Sequence, residues 1–264
     1  MSLFWIAILL GIIEGLTEFL PISSTGHLIV ASELVGFEGK RSEVFTVFIQ
    51  LGAILAVVWE FRRRLFDAVK GLGTRPESTS FALAIALAFL PAALLGLAFH
   101  DTIKDKLFSP ITVGLALIAG AIAILVVERL PLSQRIERAE NTGWKRGLIV
   151  GFAQCLALWP GFSRSAATIL GGMGAGLSRR AATEFSFFLA IPTMFAATIW
   201  DLLHNYQHLE PGDAFALALA FAISFLVAWL AIRWLLGFVS THTLVPFAWY
   251  RLVVGIVILV VFWS

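Results

Sequence analysis

Charged residues and cysteine are scarce in this sequence. Only 14% of its 264 residues are Asp, Glu, Lys or Arg, whereas 59% are hydrophobic, and the mean hydropathy is +0.91. A soluble domain of this length would need more polar surface, so the composition indicates an integral membrane protein. The single cysteine, Cys155, excludes an intramolecular disulfide. A formal charge of +2 is too small to indicate a nucleic-acid partner.

Six apolar stretches are long enough to cross a bilayer, which takes about 20 helical residues. They lie near residues 44–61, 81–99, 111–127, 185–200, 214–236 and 247–263. Two further apolar segments, 3–35 and 147–177, are interrupted in the middle by Pro, Gly and polar residues. We therefore predict that each of these two segments is a re-entrant helical hairpin and not a full span.

The charges of the loops predict the orientation of the chain. Residues 62–80 and residues 128–146 each carry five basic side chains, whereas the segments 100–110 and 201–213 carry two lysines and none. The positive-inside rule places the two basic loops in the cytoplasm and the other two segments outside.

The two halves of the sequence resemble each other at an offset of 140 residues. Gly11 falls on Gly151, and Ser23 falls on Ser163. "FTVFIQLGAILA", which begins at Phe45, falls on "FSFFLAIPTMFA". Each half contains three full spans, an odd number, so a second copy of the same unit must lie upside down in the membrane. Chance similarity between apolar stretches is the alternative.

These patterns predict an all-α integral membrane protein with an inverted-topology repeat, six full transmembrane helices and two re-entrant helical hairpins. The chain is expected to form a single membrane domain, 1–264. Its repeats cover approximately 1–127 and 147–264 and are joined by the cytoplasmic loop 128–146. The hairpin of the first half would enter from outside, that of the second half from the cytoplasm, and their tips would meet near the bilayer midplane.

The two expected tips carry polar residues where an anion could bind. The first reads "EGLTEFLPISSTGH", in which Pro21 would end one helix and Ser23, Ser24 and Thr25 could cap the next. The second reads "WPGFSRSAAT", in which Ser163, Arg164 and Ser165 follow a Pro-Gly break. Helix N-termini offer amide donors and a positive dipole end, and a guanidinium adds a fork that fits two phosphate oxygens.

Two glutamates precede the first tip on one helix face. Glu14 and Glu18 are four residues apart. Two carboxylates within the membrane need a cation or a wet cavity, and a divalent ion shared with phosphate oxygens would satisfy both. The alternative is that they pair with basic residues elsewhere.

His27 follows Ser24 by three residues, about one helical turn. It could take a proton from Ser24, ligate a metal or protonate a leaving oxygen, or it could be a structural histidine. Ser23 and Thr25 could be caps only. Gln50 and Arg251, each inside an apolar span, are weaker candidates for lining the cavity.

At these motifs the sequence closely resembles the undecaprenyl-diphosphate phosphatase family, the bacitracin-resistance proteins of bacterial inner membranes. "EGLTEFLPISSTGH" and "PGFSRSAAT" carry the resemblance, and "EFSFFLAIP" and "YRLVVG" extend it over nearly the whole chain. The resemblance implies hydrolysis of undecaprenyl diphosphate to the monophosphate and phosphate, which recycles the lipid carrier of cell-wall (peptidoglycan) synthesis and confers bacitracin resistance. It also implies a divalent cation, Mg²⁺ or Ca²⁺, and a multi-pass inner-membrane protein whose active site opens to the periplasm.

The resemblance also assigns residues to the site. Ser24, His27, Glu18 and Arg164 are the expected catalytic group, and Glu14 and Glu18 the expected metal ligands. Ser163, Ser165 and Thr168 are the expected substrate-binding group, to which the residues of the first tip add Ser23 and Thr25. Ser24, Ser23 and an activated water are all kept as possible nucleophiles.

The expected partners are a polyprenyl diphosphate lipid and the bilayer, with no nucleic acid; a homodimer is left open. The alternative function is a secondary transporter or flippase for an anionic lipid or small anion, since inverted repeats with half-helices often serve alternating access. A phosphatase of the other large lipid-phosphatase family is a weaker alternative, because no His follows Ser163 and Arg164 at short range.

Overall fold

A computed structural model describes residues 2–37, 39–205, 207 and 213–262. Over these residues the regular structure is helical, with one isolated β-bridge. The α-helices are α1 (Leu3–Thr17), α2 (Ser24–Leu34), α3 (Lys40–Glu60), α4 (Arg62–Lys70), α5 (Pro76–Ala98), α6 (His100–Leu107), α7 (Pro110–Arg129), α8 (Gly143–Gln154), α9 (Arg164–Gly174), α10 (Arg179–Asn205), α11 (Ala214–Val239) and α12 (Val245–Phe262). Short 3₁₀ turns cover Ala139–Asn141 and Cys155–Leu158.

Six of the described helices, α3, α5, α7, α10, α11 and α12, are long and apolar enough to cross a membrane. They confirm the six predicted stretches. Three of them, α3, α5 and α10, begin several residues before the apolar run does, because hydropathy marks only the part in hydrocarbon whereas helical hydrogen bonding continues into polar flanks. The segments 62–80 and 100–110, expected to be loops, contain the short helices α4 and α6.

Two ion pairs mark the opposite ends of the helix bundle. At one end Arg64 donates to Glu140 at 2.7 Å, so the two basic loops lie together. At the other end Arg41, in the first turn of α3, pairs with Asp213, which directly precedes α11. Because α3 spans the distance between them, the two basic loops share the end opposite to the segment that leads into α11.

The first hairpin, α1 and α2, enters from the Arg41 end. Gly11 and Gly15 of α1 lie directly against α11: a Cβ on Gly11 would be 2.7 Å from the oxygen of Ala220, and a Cβ on Gly15 would be 2.6 Å from the oxygen of Ser224. The contacts advance together along both helices, so α1 runs parallel to α11, which starts at that end.

The second hairpin, α8 and α9, enters from the opposite end by the same kind of packing. A Cβ on Gly147 would be 2.4 Å from the oxygen of Ala84, and a Cβ on Gly151 would be 2.7 Å from the oxygen of Ala88. Thus α8 runs parallel to α5, which starts at the basic end. The two re-entrant hairpins are therefore inverted relative to each other, as the sequence predicts.

The offset of 140 residues recurs in the helix bounds. The second arms of the two hairpins, Ser24–Leu34 and Arg164–Gly174, correspond residue for residue at this offset. The first arms end earlier than expected: α1 ends at Thr17, four residues before Pro21, and α8 ends at Gln154 and passes into a 3₁₀ turn. A proline restricts only the residue directly before it, so these earlier ends are set by the folded tips and not by the prolines alone. The bounds of the repeats, 1–127 and 147–264, stay a prediction.

Candidate active site

Two serines in an unusual backbone conformation form the hairpin tips. Ser23 has φ 73° and Ser163 has φ 76°, and they are the only residues other than glycine with positive φ in the described ranges. Each caps the helix that follows it: Ser23 Oγ accepts from Gly26 N at 3.4 Å, and Ser163 Oγ accepts from Ala166 N at 3.2 Å. Such strain costs about 1–3 kcal/mol per residue and is concentrated at functional sites.

The two tips touch. Ser165, fully buried, donates its hydroxyl proton to the carbonyl of Leu20 at 2.8 Å. Because that proton is used, the 2.9 Å contact between Ser163 Oγ and Ser165 Oγ has Ser163 as its donor. The N-termini of α2 and α9, with their positive dipole ends, are thereby brought to the same buried region.

A chain of hydrogen bonds links the tips across the repeat interface. Arg164 of the second tip donates from Nη2 to Glu18 Oε1 at 2.9 Å, and Ser24 of the first tip donates its hydroxyl to Glu18 Oε2. Arg164 is also held by the carbonyl of Ser186, which accepts from Nη1 at 3.1 Å. Its buried Nε has no protein partner among the described residues. Of the residues predicted as catalytic, Ser24 and Arg164 therefore both bond directly to Glu18.

Glu14 is fully buried, and neither oxygen of its carboxylate has a hydrogen-bond partner among the described residues. Glu18 lies one turn further along the same helix. No group of three or more His, Cys, Asp or Glu side chains that could hold a metal occurs in the described part of the chain. Two carboxylates fit a divalent cation that takes its other ligands from phosphate oxygens and water, which is the way Mg²⁺ commonly binds.

His27, a residue of α2, connects its own helix to α12. Its Nδ1 lies 2.7 Å from the carbonyl oxygen of Ser23 and its Nε2 lies 2.7 Å from the hydroxyl of Tyr250. A carbonyl can only accept, so Nδ1 carries the proton, and Nε2 of a neutral ring accepts from Tyr250. The two rings also stack, with centroids 5.6 Å apart. In this arrangement the hydroxyl of Ser24 is bonded to Glu18 and not to His27, and the catalytic role of His27 stays a prediction.

The two predicted threonines occupy different positions. Thr168 is fully buried behind the second tip, where its hydroxyl bonds to the carbonyl of Arg164 at 2.8 Å and to Ser186 Oγ at 2.6 Å. Thr168 therefore holds the backbone of Arg164 in place within the first turn of α9. Thr25 is partly exposed in the first turn of α2.

An apolar groove of about 270 Å³ begins at this site. Gly26 and His27 line one part of it, and it extends along α2 and α12 to Leu34 and Ile258. His27 is the only polar side chain among its lining residues that the structure describes. The groove therefore joins the polar tips to the apolar surface of the bundle.

Sequence reasoning missed Tyr250 and Ser186 and gave too little weight to Arg251. Tyr250 is 223 positions from His27, so only the fold brings them together. Arg251 does not line an open cavity, because it is fully buried between the tips. A lone arginine in the middle of an apolar span was the available signal. Gln50, the other weaker candidate, is partly exposed.

Comparison with known proteins gives consistent matches over almost the whole chain. The family described as "Bacitracin resistance protein BacA" matches residues 7–257. An undecaprenyl-diphosphatase of Nitrosospira multiformis is 56% identical over 257 residues, which cover 97% of this chain and 94% of that protein. An undecaprenyl-diphosphatase of Aromatoleum aromaticum is 52% identical over 259 residues, 98% of this chain and 94% of that protein. One of Ectopseudomonas mendocina is 53% identical over 253 residues, 96% and 92% respectively.

Proposed function

Because the chain belongs to the bacitracin resistance protein BacA family, we propose that its two facing tips form the site that hydrolyses undecaprenyl diphosphate. The products are undecaprenyl monophosphate and phosphate. The reaction recycles the lipid carrier of cell-wall synthesis and confers resistance to bacitracin. The chain is a multi-pass membrane enzyme, and the site residues, the metal and the orientation in the membrane are parts of the proposal.

One observation carries the proposal most directly: Ser24, Glu18 and Arg164 form a continuous hydrogen-bonded chain between two helix N-termini. It combines a hydroxyl nucleophile, a carboxylate that can accept its proton, and a guanidinium that can bind two phosphate oxygens. An anion-binding cradle and an acid–base pair are together what a phosphoanhydride hydrolase needs.

In the proposed reaction Ser24 Oγ attacks the terminal phosphorus, and its proton passes to Glu18 Oε2, to which it already donates. The bond from phosphorus to the bridging oxygen breaks, and the isoprenyl monophosphate leaves with the proton that Glu18 took up, so the carboxylate is ionised again. Water then attacks the phosphoserine, with Glu18 assisting, and releases phosphate with recovery of the Ser24 hydroxyl. Direct attack by water is the rival mechanism, in which Ser24 would only orient the phosphate.

Arg164 and the helix N-termini stabilise the charge that builds up on the phosphoryl oxygens. Arg164 is held at Nη1 by the carbonyl of Ser186, while Nη2 reaches Glu18. A phosphate between the tips can take the Nη2 donor and the partnerless Nε. In this exchange Glu18 Oε1 gives up its hydrogen bond to Arg164.

The apolar groove along α2 and α12 is where the isoprenyl chain would lie, because it starts at His27 and Gly26 and is otherwise apolar. Phosphate release from isoprenyl diphosphates of increasing length tests this arrangement. We expect kcat/KM to rise with the first isoprene units, which add buried apolar area, and then to level off. Equal kcat/KM for all lengths would show that only the diphosphate is recognised.

Glu14 and Glu18 are proposed to hold a divalent cation, Mg²⁺ or Ca²⁺, together with phosphate oxygens. When bound, such a cation neutralises phosphate charge and acts as a Lewis acid. We expect an excess of chelator to abolish turnover and added Mg²⁺ or Ca²⁺ to restore it. Glu14→Gln should raise the metal concentration needed for half-maximal rate, and metal binding by the substrate-free protein should weaken in a calorimetric titration. Full turnover in chelator would leave both carboxylates as acid–base groups only.

The basic loops are proposed to face the cytoplasm of a bacterial inner membrane, which opens the site to the periplasm. Single cysteines in a Cys155→Ser background test this orientation. We expect Gln207→Cys to react with an impermeant thiol reagent outside intact cells, and Gly73→Cys to react only after permeabilisation. Three membrane-spanning helices, α5, α7 and α10, separate these positions, so equal reactivity at both would contradict the orientation.

A further inference from the structure

Arg251 of α12 lies at the centre of the molecule, between the two hairpin tips. It is fully buried. Its guanidinium donates to five backbone carbonyls: Pro21 at 3.0 Å, Gly161 at 3.1 Å, Phe162 at 2.8 Å, Leu117 at 3.2 Å and Ala116 at 3.3 Å. Pro21 belongs to the first tip, Gly161 and Phe162 to the second, and the other two to α7. One side chain thus joins both tips to the span beside them.

The charge of Arg251 has no carboxylate partner among the described residues. All of the acceptors found for it are neutral carbonyls. Burial of an ionised group without a counter-ion is costly, and an apolar side chain of similar volume commonly fills such a place with equal or greater stability. Packing alone therefore does not account for an arginine here. A planar fork that donates to carbonyls of both tips, those of Pro21, Gly161 and Phe162, does account for it.

The span beside Arg251 is shaped to receive it. A Cβ on Gly120 of α7 would lie 1.9 Å from Nη2 of Arg251 and 2.7 Å from its Cζ. The absence of a side chain at Gly120 therefore makes the space in which the guanidinium lies. Any larger residue at that position must displace the guanidinium, while the arginine and its charge are kept.

The tip carbonyls that Arg251 bonds lie one or two residues before the strained serines. Pro21 lies two residues before Ser23, and Phe162 is the neighbour of Ser163. The positions of these carbonyls fix where each helix N-terminus begins. We propose that Arg251 is a positioning residue that holds the two tips in register, so that Arg164 of one reaches Glu18 of the other. This inference rests on the proposed function of the tips, because its effect is read from their reaction.

A lysine at position 251 cannot reproduce these hydrogen bonds. It keeps the positive charge, but its three donors radiate from one nitrogen and cannot reach carbonyls on both sides of a planar fork. Gly120→Ala acts in the opposite way, since it keeps the guanidinium and moves it. Both changes should lower kcat by roughly 10²-fold, the scale on which a 1 Å misplacement of catalytic groups acts. KM should change much less, because the groove that receives the lipid chain is left intact.

Gly114→Ala is the matched control. It adds the same methyl to the same helix, but the methyl would meet Leu259 at 3.0 Å and the carbonyl of Gly255 at 3.2 Å, away from the guanidinium. Its kcat should stay near that of wild type. Purified variants would be compared by circular dichroism and size exclusion, so that rates refer to folded protein.

A double-mutant cycle separates positioning from general stability. If Arg251 acts by placing Arg164, then Arg251→Lys should cost little in an Arg164→Lys background, and the double variant should lose far less than the roughly 10⁴-fold product of the two single losses. Additive losses would overturn the proposal. It would also be overturned by a folded Gly120→Ala or Arg251→Lys with near wild-type kcat. Failure of both to fold beside a folded Gly114→Ala would assign Arg251 to folding. A wild type that releases no phosphate would contradict the proposed function instead.

Discussion

Replacement of Ser24 by alanine is expected to lower turnover by roughly 10³-fold or more, the scale seen when a covalent nucleophile is removed. The reason is geometric. Ser24 is the hydroxyl of the first tip that already donates to a carboxylate, Glu18, whereas Ser23 Oγ accepts from Gly26 N as a helix cap. Single-turnover phosphate release by the purified variant measures the loss.

Ser23→Ala and Ser24→Thr are the comparisons that identify the nucleophile. Loss of the Ser23 cap should destabilise the tip by about 1 kcal/mol and lower turnover less than Ser24→Ala does. Ser24→Thr keeps a hydroxyl and should retain measurable turnover. An alanine variant at position 24 within about tenfold of wild type would favour direct attack by water, since only an orienting hydrogen bond would have been lost.

Replacement of Arg164 is expected to have the second large effect. A terminal phosphate gains charge on its equatorial oxygens as the bond breaks, and a guanidinium can meet two of them at once. Lysine keeps the charge but loses the fork, so Arg164→Lys should lower kcat by roughly 10²-fold while substrate binding changes less. Arg164→Ala should be worse, because Glu18 would also lose its ion-pair partner at 2.9 Å. Steady-state kinetics with a short isoprenyl diphosphate would measure both.

Arg179→Lys is the matched control for this change. Arg179 also forms an ion pair, with Glu128 at 2.6 Å, but at the end of the bundle where the basic loops lie. The same substitution there should alter stability slightly and leave kcat near that of wild type. A lysine at position 164 within about twofold of wild type, well under 1 kcal/mol in barrier, would mean that Arg164 only balances charge in the fold.

The architecture could be predicted from sequence because its signals are local. Apolar runs of membrane length predicted the six spans, and the breaks at Pro21 and Pro160 predicted the hairpins. The 140-residue offset predicted their inverted entry, since it aligned two units with an odd number of spans. What the sequence misplaced were helix ends, such as that of α1 at Thr17, because they depend on hydrogen bonds in the folded tip.

The sequence predicted which residues form the site, but it did not predict the hydrogen bonds between them. Sequence placed Glu18 both in the catalytic group and with the metal, but it did not show that this carboxylate bonds to Arg164 and Ser24. Helical spacing offered His27 as one possible partner of Ser24. The partners that decide these bonds come from distant parts of the chain, as Tyr250 does for His27. Positive φ at Ser23 is likewise set by tertiary contacts, because serine has no local preference for it.

Phosphate release by purified protein in detergent, with no ion or lipid gradient, tests the central claim most directly. Inverted repeats with interrupted helices also occur in transporters, and a gradient-free assay separates the two functions. The account predicts many turnovers, with one undecaprenyl monophosphate and one phosphate formed for each diphosphate consumed, and loss of both products in Ser24→Ala. Undecaprenyl diphosphate that is bound by the wild type with metal present, but recovered uncleaved, would contradict it.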